Sequence, residues 1–207
     1  MKTIHVKCTF FKPILGTSPN NEDIYRDFIG SKAPDAASVE DEIAAIGAAE
    51  YAEKGMTVFP RDPDGLPFLW AYQVKGFFKD ACSMLQRVGG KDESGKKKKV
   101  NESSKLTAFK KVIDGLIFVE PDVIPFTFEG EIGICQRPLR AMTMQGERVA
   151  LAMSEQIPAG AQVEFDVICL NDEHMAAVTE WLDYGQLRGI GQWRNSGMGR
   201  FTYEIVE

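Results

Sequence analysis

An α+β fold, with an antiparallel sheet carrying helices on one face, is the architecture this sequence predicts. Three observations predict it. Residues 2–11, 162–170 and 201–205 alternate apolar and polar side chains with the period of a half-buried strand. Two segments, Gln73 to Val88 and Glu173 to Tyr184, place apolar residues at helical spacing, and each lies between strand-like segments. The second of these helices passes into the final strand through Gly185–Phe201, a stretch that holds five glycines and three arginines.

In chain order, Ile4, Val6, Cys8 and Phe10 form one face of the first strand, and His5, Lys7 and Thr9 the other. Lys12 to Asn20 reads as a loop, Asn21 to Ile29 as a short helix, and Ser38 caps a second helix through Tyr51. Met56 to Phe59 is a short strand, followed by the Asp62-Pro63-Asp64-Gly65 turn. The helix from Gln73 has Val74, Phe77, Phe78, Ala81, Leu85 and Val88 as its apolar stripe. Gly89 to Ser104, which contains Lys96-Lys97-Lys98-Lys99, reads as a flexible loop. Ser104 to Lys111 is expected to be helical. Leu116 to Val119 is strand-like, and Ile124 to Phe128 is expected to pair beside it. Ile132 to Leu139 and Arg148 to Met153 are weaker strands around a Gln145-Gly146 hairpin tip. Val163, Phe165 and Val167 share a face after the Pro158-Ala159-Gly160 turn. Asn171 caps the second long helix and Gly185 closes it, after which Phe201, Tyr203 and Ile205 form one face of the last strand. Two β-α-β halves of this kind make a ferredoxin-like sandwich. The expectation is one domain over residues 1–207, with residues 12–72 inserted after the first strand and a lysine-rich loop at 89–104.

Composition narrows the function. Of 207 residues, 44% are apolar, enough for a substantial core, and no apolar run reaches the length of a membrane span. Met1 to Val6 reads as a strand and not as a secretory leader. Cys8, Cys82, Cys135 and Cys169 are scattered without metal-ligand spacing, so a reducing, cytoplasmic setting without disulfides is expected. The net charge of −6 is localised. Residues 20–54 hold nine acids and three bases, and the rest of the chain balances. Residues 91–111 carry eight lysines against three acids.

The glycine loop carries the chemistry. Glycine lets backbone turn through positive φ and approach a ligand closely. Arginine supplies forked donors for phosphate. Helix, loop, strand is the wrong order for a dinucleotide fingerprint, and no Gly-Lys-Ser/Thr step exists for a P-loop. Two readings stand together: a tight helix-to-strand connection, or a loop that holds an anionic chain. For the second reading the contacts are Arg188, Gly189, Gly191, Trp193, Arg194, Asn195, Gly197, Gly199 and Arg200. Trp193 either stacks on a base or anchors the loop in the core. Lys75 and Lys79, one turn apart, give a basic edge, and Arg137 and Arg140 flank Pro138.

At this point the chain resembles the RAMP superfamily, ferredoxin-like subunits of CRISPR effector complexes. The resemblance rests on Leu66-Pro67-Phe68 with Val74-Lys75-Gly76-Phe77-Phe78-Lys79, on Glu155-Gln156-Ile157-Pro158-Ala159-Gly160-Ala161 before an alternating strand, on the helix from Glu173 to Tyr184, and on Gly189 to Phe201. It covers about half of the chain. The chain departs from the pattern in its acidic segment and at Trp70-Ala71-Tyr72-Gln73, where the family usually offers Gly and Ser. As a whole it is also similar to small phage and prophage proteins. The resemblance implies RNA binding, side-by-side self-association and CRISPR-type protein partners.

No catalytic signature is present. His5 and His174 are the only histidines and read as ordinary surface residues. Asp23, Asp27, Asp35 and Asp41 fall in no catalytic pattern, and Glu180 and Asp183 read as a wet helix face. No metal and no cofactor is expected. The expectation is a non-catalytic protein that binds single-stranded nucleic acid, RNA ahead of DNA, in a bacterial host cytoplasm. Its rivals are a decoy or inhibitor of a CRISPR effector complex that uses residues 20–54, and a metal-independent endoribonuclease.

Overall fold

The computed structural model describes residues 1–20, 55–90, 95, 98–143 and 146–206, with 139–143 and 146–151 described by their backbone alone. The sequence-predicted helices at 21–29 and 38–51, and the Gln145 half of the hairpin tip, lie outside the described residues.

The elements run β1 (Lys2–Phe10), β2 (Ile14–Leu15), β3 (Ser18–Pro19), β4 (Thr57–Val58), β5 (Phe68–Trp70), α1 (Ala71–Leu85), α2 (Glu102–Lys105), α3 (Phe109–Leu116), β6 (Ile117–Glu120), β7 (Val123–Pro125), β8 (Gly133–Thr143), β9 (Gly146–Ile157), β10 (Gln162–Cys169), α4 (Met175–Arg188) and β11 (Phe201–Val206). The main sheet has the order β11-β1-β10-β6, every neighbour antiparallel. With α1 and α3 between β1 and β6, and α4 between β10 and β11, this is the ferredoxin-like order expected from two β-α-β halves.

The alternation decides which face is covered. Ile4, Val6, Cys8 and Phe10 of β1, Val163, Phe165, Val167 and Cys169 of β10, and Ile117 and Val119 of β6 are buried. Above them lie Val74, Phe77, Phe78, Ala81 and Cys82 of α1 and Ala177, Val178, Trp181 and Leu182 of α4. The two helices meet through Phe78 and Trp181, ring centroids 5.4 Å apart. Burying a side chain of this size stabilises by about 1.5–3 kcal/mol. Among the described residues, no helix lies on the opposite sheet face. That face shows Lys7, His5, Glu164 and Asp166, with His5 opposite Asp166 and Lys7 opposite Glu164.

A second sheet, ordered β2-β9-β4-β3 with β8 on β9, flanks the first. β8 and β9 form a long antiparallel ribbon from Gly133↔Gln156 to Thr143↔Gly146. Ile14, Phe59 and Ile157 join it to the same apolar cluster that holds β1 and α1.

Four expectations change. Gly185 does not close α4. The helix continues to Arg188, and Gly189 at φ +73° ends it. Gly185 is glycine for space, since a Cβ there would lie 2.2 Å from the Phe201 ring. β7 pairs with β5 and not with β6, as Ile124 and Phe126 turn into the core beside Leu69. The segment Gly89 to Ser104 ends in structure: Asn101 accepts from the Ser104 N–H at 2.8 Å and caps α2, which stops at Lys105 before α3 begins. Glu180 is no wet carboxylate. It accepts from the N–H groups of Glu102 and Ser103 and from the Ser103 hydroxyl, and Trp181 Nε1 donates to that hydroxyl at 2.9 Å. Asp183 is occupied as well, accepting from the Tyr203 hydroxyl at 3.0 Å.

Candidate nucleic-acid interface

The glycine loop is pinched at its base. The Ile190 N–H donates to the Gly199 carbonyl at 2.9 Å, and the Gly199 N–H donates to the Pro13 carbonyl at 2.8 Å. A Cβ on Gly199, at φ +68°, would stand 1.9 Å from the Ile190 oxygen, so only glycine lets these backbones touch. Ile190 is driven into the core by the same closure. Several loop N–H groups, those of Gly189, Ile190, Ser196, Gly197 and Gly199, are spent inside the protein.

The loop lands on α1. Gln73 Oε1 accepts from the Trp70 N–H at 2.9 Å, and Gln73 Nε2 donates to Thr17 at 2.7 Å, which fixes the first turn of the helix. Between that turn and the loop opens a cleft of about 200 Å³, lined by Thr17, Gln73, Gly76, Phe77, Ile190, Gly191 and Arg194. A Cβ on Gly76 would meet nothing within 4 Å.

Three of the four candidate arginines whose side chains are described, Arg188, Arg194 and Arg200, gather at the loop itself. Arg188 Nε and Arg194 Nη1 both donate to Asp80 Oδ2 of α1, at 3.0 and 2.8 Å, and Arg188 Nη1 donates to Asn195 at 2.8 Å. Arg200 donates to the Gln186 carbonyl and lies over the Phe11 ring at 5.3 Å. The fourth, Arg137, reaches the loop from β8. It donates through Nη2 to Gln192 at 2.8 Å, and its guanidinium lies 5.2 Å from the centre of the Trp193 ring. Trp193 is therefore no core anchor; it is 39% exposed. Arg140 belongs to β8 opposite Val149, and its side chain is outside the described residues.

The structure does not bring Lys75 and Lys79 to the loop. Lys79 pairs with Asp114 of α3 at 2.6 Å, and Lys75 donates to the Asp114 carbonyl at 3.1 Å with its ammonium over Phe118. Burial pulls the Lys75 ammonium below its usual range, partly opposed by Asp114, while the Lys79 hydrogen bond holds the Asp114 carboxyl below its own. The pair faces the opposite flank of α1, because the residues that look at the loop are 73, 76, 77 and 80.

Asp80, Gln73 and Gln192 were not singled out from sequence. The one signal for Asp80 was a loop of three arginines with no acid of its own. His5 lies on the outer sheet face, with Nδ1 2.7 Å from Asp166 and Nε2 3.5 Å from Glu164. The Asp166 hydrogen bond raises its pKa above the usual histidine value. His174 lines a separate surface cleft with Glu102, Lys105 and Glu173. Among the described residues no group of three or more His, Cys, Asp or Glu is placed to hold a metal, and no helix is long and apolar enough to cross a membrane.

No family model matches the sequence, and no curated protein matches it. Among solved structures, a chain of a Type IV-B CRISPR complex matches at TM-score 0.53 and 12% identity, covering 99% of this chain and 90% of that one. A chain of Type III-B Cmr-beta bound to cognate target RNA matches at TM-score 0.49 and 12% identity; this protein, matched over its whole length, spans 60% of it. The protein carries the α+β fold found in a chain of the Type IV-B CRISPR complex.

Proposed function

We propose that this protein binds single-stranded nucleic acid, RNA ahead of DNA, along its sugar–phosphate backbone, at the cleft between α1 and the glycine loop, and that it does no chemistry on the strand. The observation that carries the reading is the meeting at one cleft of two segments far apart in sequence, Gln73–Phe77 and Ile190–Arg194. Gly76 keeps the α1 wall low, Arg194 lines the cleft, and Arg188, joined to it through Asp80, stands behind it, both with guanidinium donors left after their bonds to Asp80. The fold neighbour in a CRISPR complex supports the same reading and supports assembly with copies of itself or with subunits of such a complex. Gly189, Gly197 and Gly199 serve by shaping the loop, and Asn195, Arg200, Arg137 and Arg140 extend the basic surface. Lys75 and Lys79 belong to a secondary contact on the α3 side.

Fluorescence anisotropy with labelled single-stranded RNA and DNA at two salt concentrations tests this. Binding is expected to weaken as salt rises. Arg188→Ala with Arg194→Ala is expected to weaken it at least tenfold and to flatten the salt slope by about 0.7 per lost phosphate contact. Absence of binding at low salt, or a complex indifferent to salt, would sink the reading.

A further inference from the structure

We infer that Arg137 and Trp193 form a one-nucleotide subsite, in which the Trp193 ring stacks on a nucleobase and Arg137 Nη1 donates to that nucleotide's phosphate. The inference rests on the nucleic-acid reading above and adds to it a contact with the base.

Three independent features meet there. Arg137 is only 9% exposed, and its Nη1 is buried without a hydrogen-bond partner in the structure. An unpaired guanidinium nitrogen is costly to bury, and proteins keep such groups where a ligand completes them. The rest of the side chain is fixed: Gln192 takes Nη2, and the Trp193 ring covers the guanidinium. Trp193 itself sits at φ +51°, ψ +35°, a left-handed conformation that a bulky side chain adopts only under constraint. That conformation lays one ring face on Arg137 and leaves the residue 39% exposed at the surface.

The chemistry of the ligand follows. A flat indole backed by a guanidinium is a stacking platform for a nucleobase, tolerant of base identity. A forked, buried donor beside it suits a phosphate oxygen. A nucleobase and a phosphate within one residue's reach of each other describe a nucleotide of a single strand, where bases are free to splay. Duplex has its bases stacked away and does not fit. For Nη1 to reach the phosphate the ring must slide toward solvent, and Trp193, 39% exposed, is the wall that can move.

The test uses the full-length protein and two labelled strands of roughly 12 nucleotides, one of oligouridylate and one with the same backbone but abasic residues. Anisotropy gives affinity, and tryptophan emission reports the ring. Trp181 is fully buried and Trp70 half-buried, so only the part of the quenching that disappears in Trp193→Phe is assigned to Trp193. The expected results are quenching by oligouridylate and not by the abasic strand, a loss of roughly 5- to 150-fold for oligouridylate in Trp193→Ala, and little loss for the abasic strand. Arg137→Gln is expected to weaken both strands and flatten the salt slope by about 0.7. Arg137→Lys, which keeps charge and stem but not the fork, guards against a folding defect and is expected to lie between. If Trp193→Ala weakens both strands equally with no quenching, while Arg188→Ala with Arg194→Ala still abolishes binding, the subsite is wrong and the cleft stands. If neither strand binds at low salt, both readings fall.

Discussion

Single side chains already set limits on how this protein behaves. His5 is the clearest titrating group. Its protonated form is held by Asp166, so its folded pKa lies above the unfolded value near 6.5. The stability it contributes is therefore complete below about pH 6.5 and lost as pH rises through the folded pKa. Proton NMR should show the His5 midpoint above 6.5, and Asp166→Asn should bring it down toward that value; an unshifted midpoint would contradict the ion pair. Gly199 is a second case. Both its positive φ and its contact with Ile190 exclude a side chain. Gly199→Ala should cost about 2–4 kcal/mol in chemical denaturation. Gly76 lies in α1 with open space above it, so Gly76→Ala should instead stabilise by about 0.5–1 kcal/mol. Of the residues that matter here, the loop arginines were legible in the sequence because three fall within one short stretch. Their partner Asp80 was not, since an ion pair that spans more than a hundred residues leaves no local pattern.

At the scale of elements, α2 is too short to stand alone. It persists because Glu180 takes its first N–H groups and Gln86 donates to the carbonyls of Ser103 and Leu106. Glu180→Ala should cost about 2 kcal/mol and strip hydrogen-exchange protection from residues 101–106, with α1 and β1 unaffected. Retained protection would show that α2 is held by something else. The three long alternating strands and two long helices were readable because each buries one face and writes that face into its period. The flanking sheet was legible in part: strands were expected where β4, β8 and β9 lie, but β2 and β3, two residues each within a stretch read as a loop, are below the length at which alternation registers, and nothing local announces that β4 joins β9 in parallel at the single pair Thr57↔Ser154. The helix stop was misplaced at Gly185 because a glycine chosen for clearance under Phe201 looks, in sequence, like one chosen for positive φ.

At the scale of the molecule, two surfaces of the described residues compare as places for a strand of nucleic acid: the outer sheet face and the cleft at the loop. The sheet face presents Glu120, Glu164, Asp166 and Glu204 against Lys7 and His5. Phosphate is repelled there. Glu164→Gln with Asp166→Asn should change strand affinity less than about twofold at physiological salt, where screening acts over about 8 Å. A large gain in affinity would move the interface to the sheet. The architecture was legible because it repeats one β-α-β logic twice, and only chain order was needed to see it. Which face works was not, because it depends on where side chains from five elements converge.

Ile190 gives the interface a mechanical character. It sits at the middle of the candidate grip yet is buried beside Phe77 and Phe201, in the apolar cluster that also holds Val6 and Trp181. Grip and core therefore open together or not at all. On the proposed reading, a bound strand would then not be released by local fraying of the loop, but by exchange, as ions replace phosphates one at a time while Arg188 and Arg194 stay on Asp80. Off-rates should then follow salt concentration closely and temperature only weakly until the protein itself unfolds.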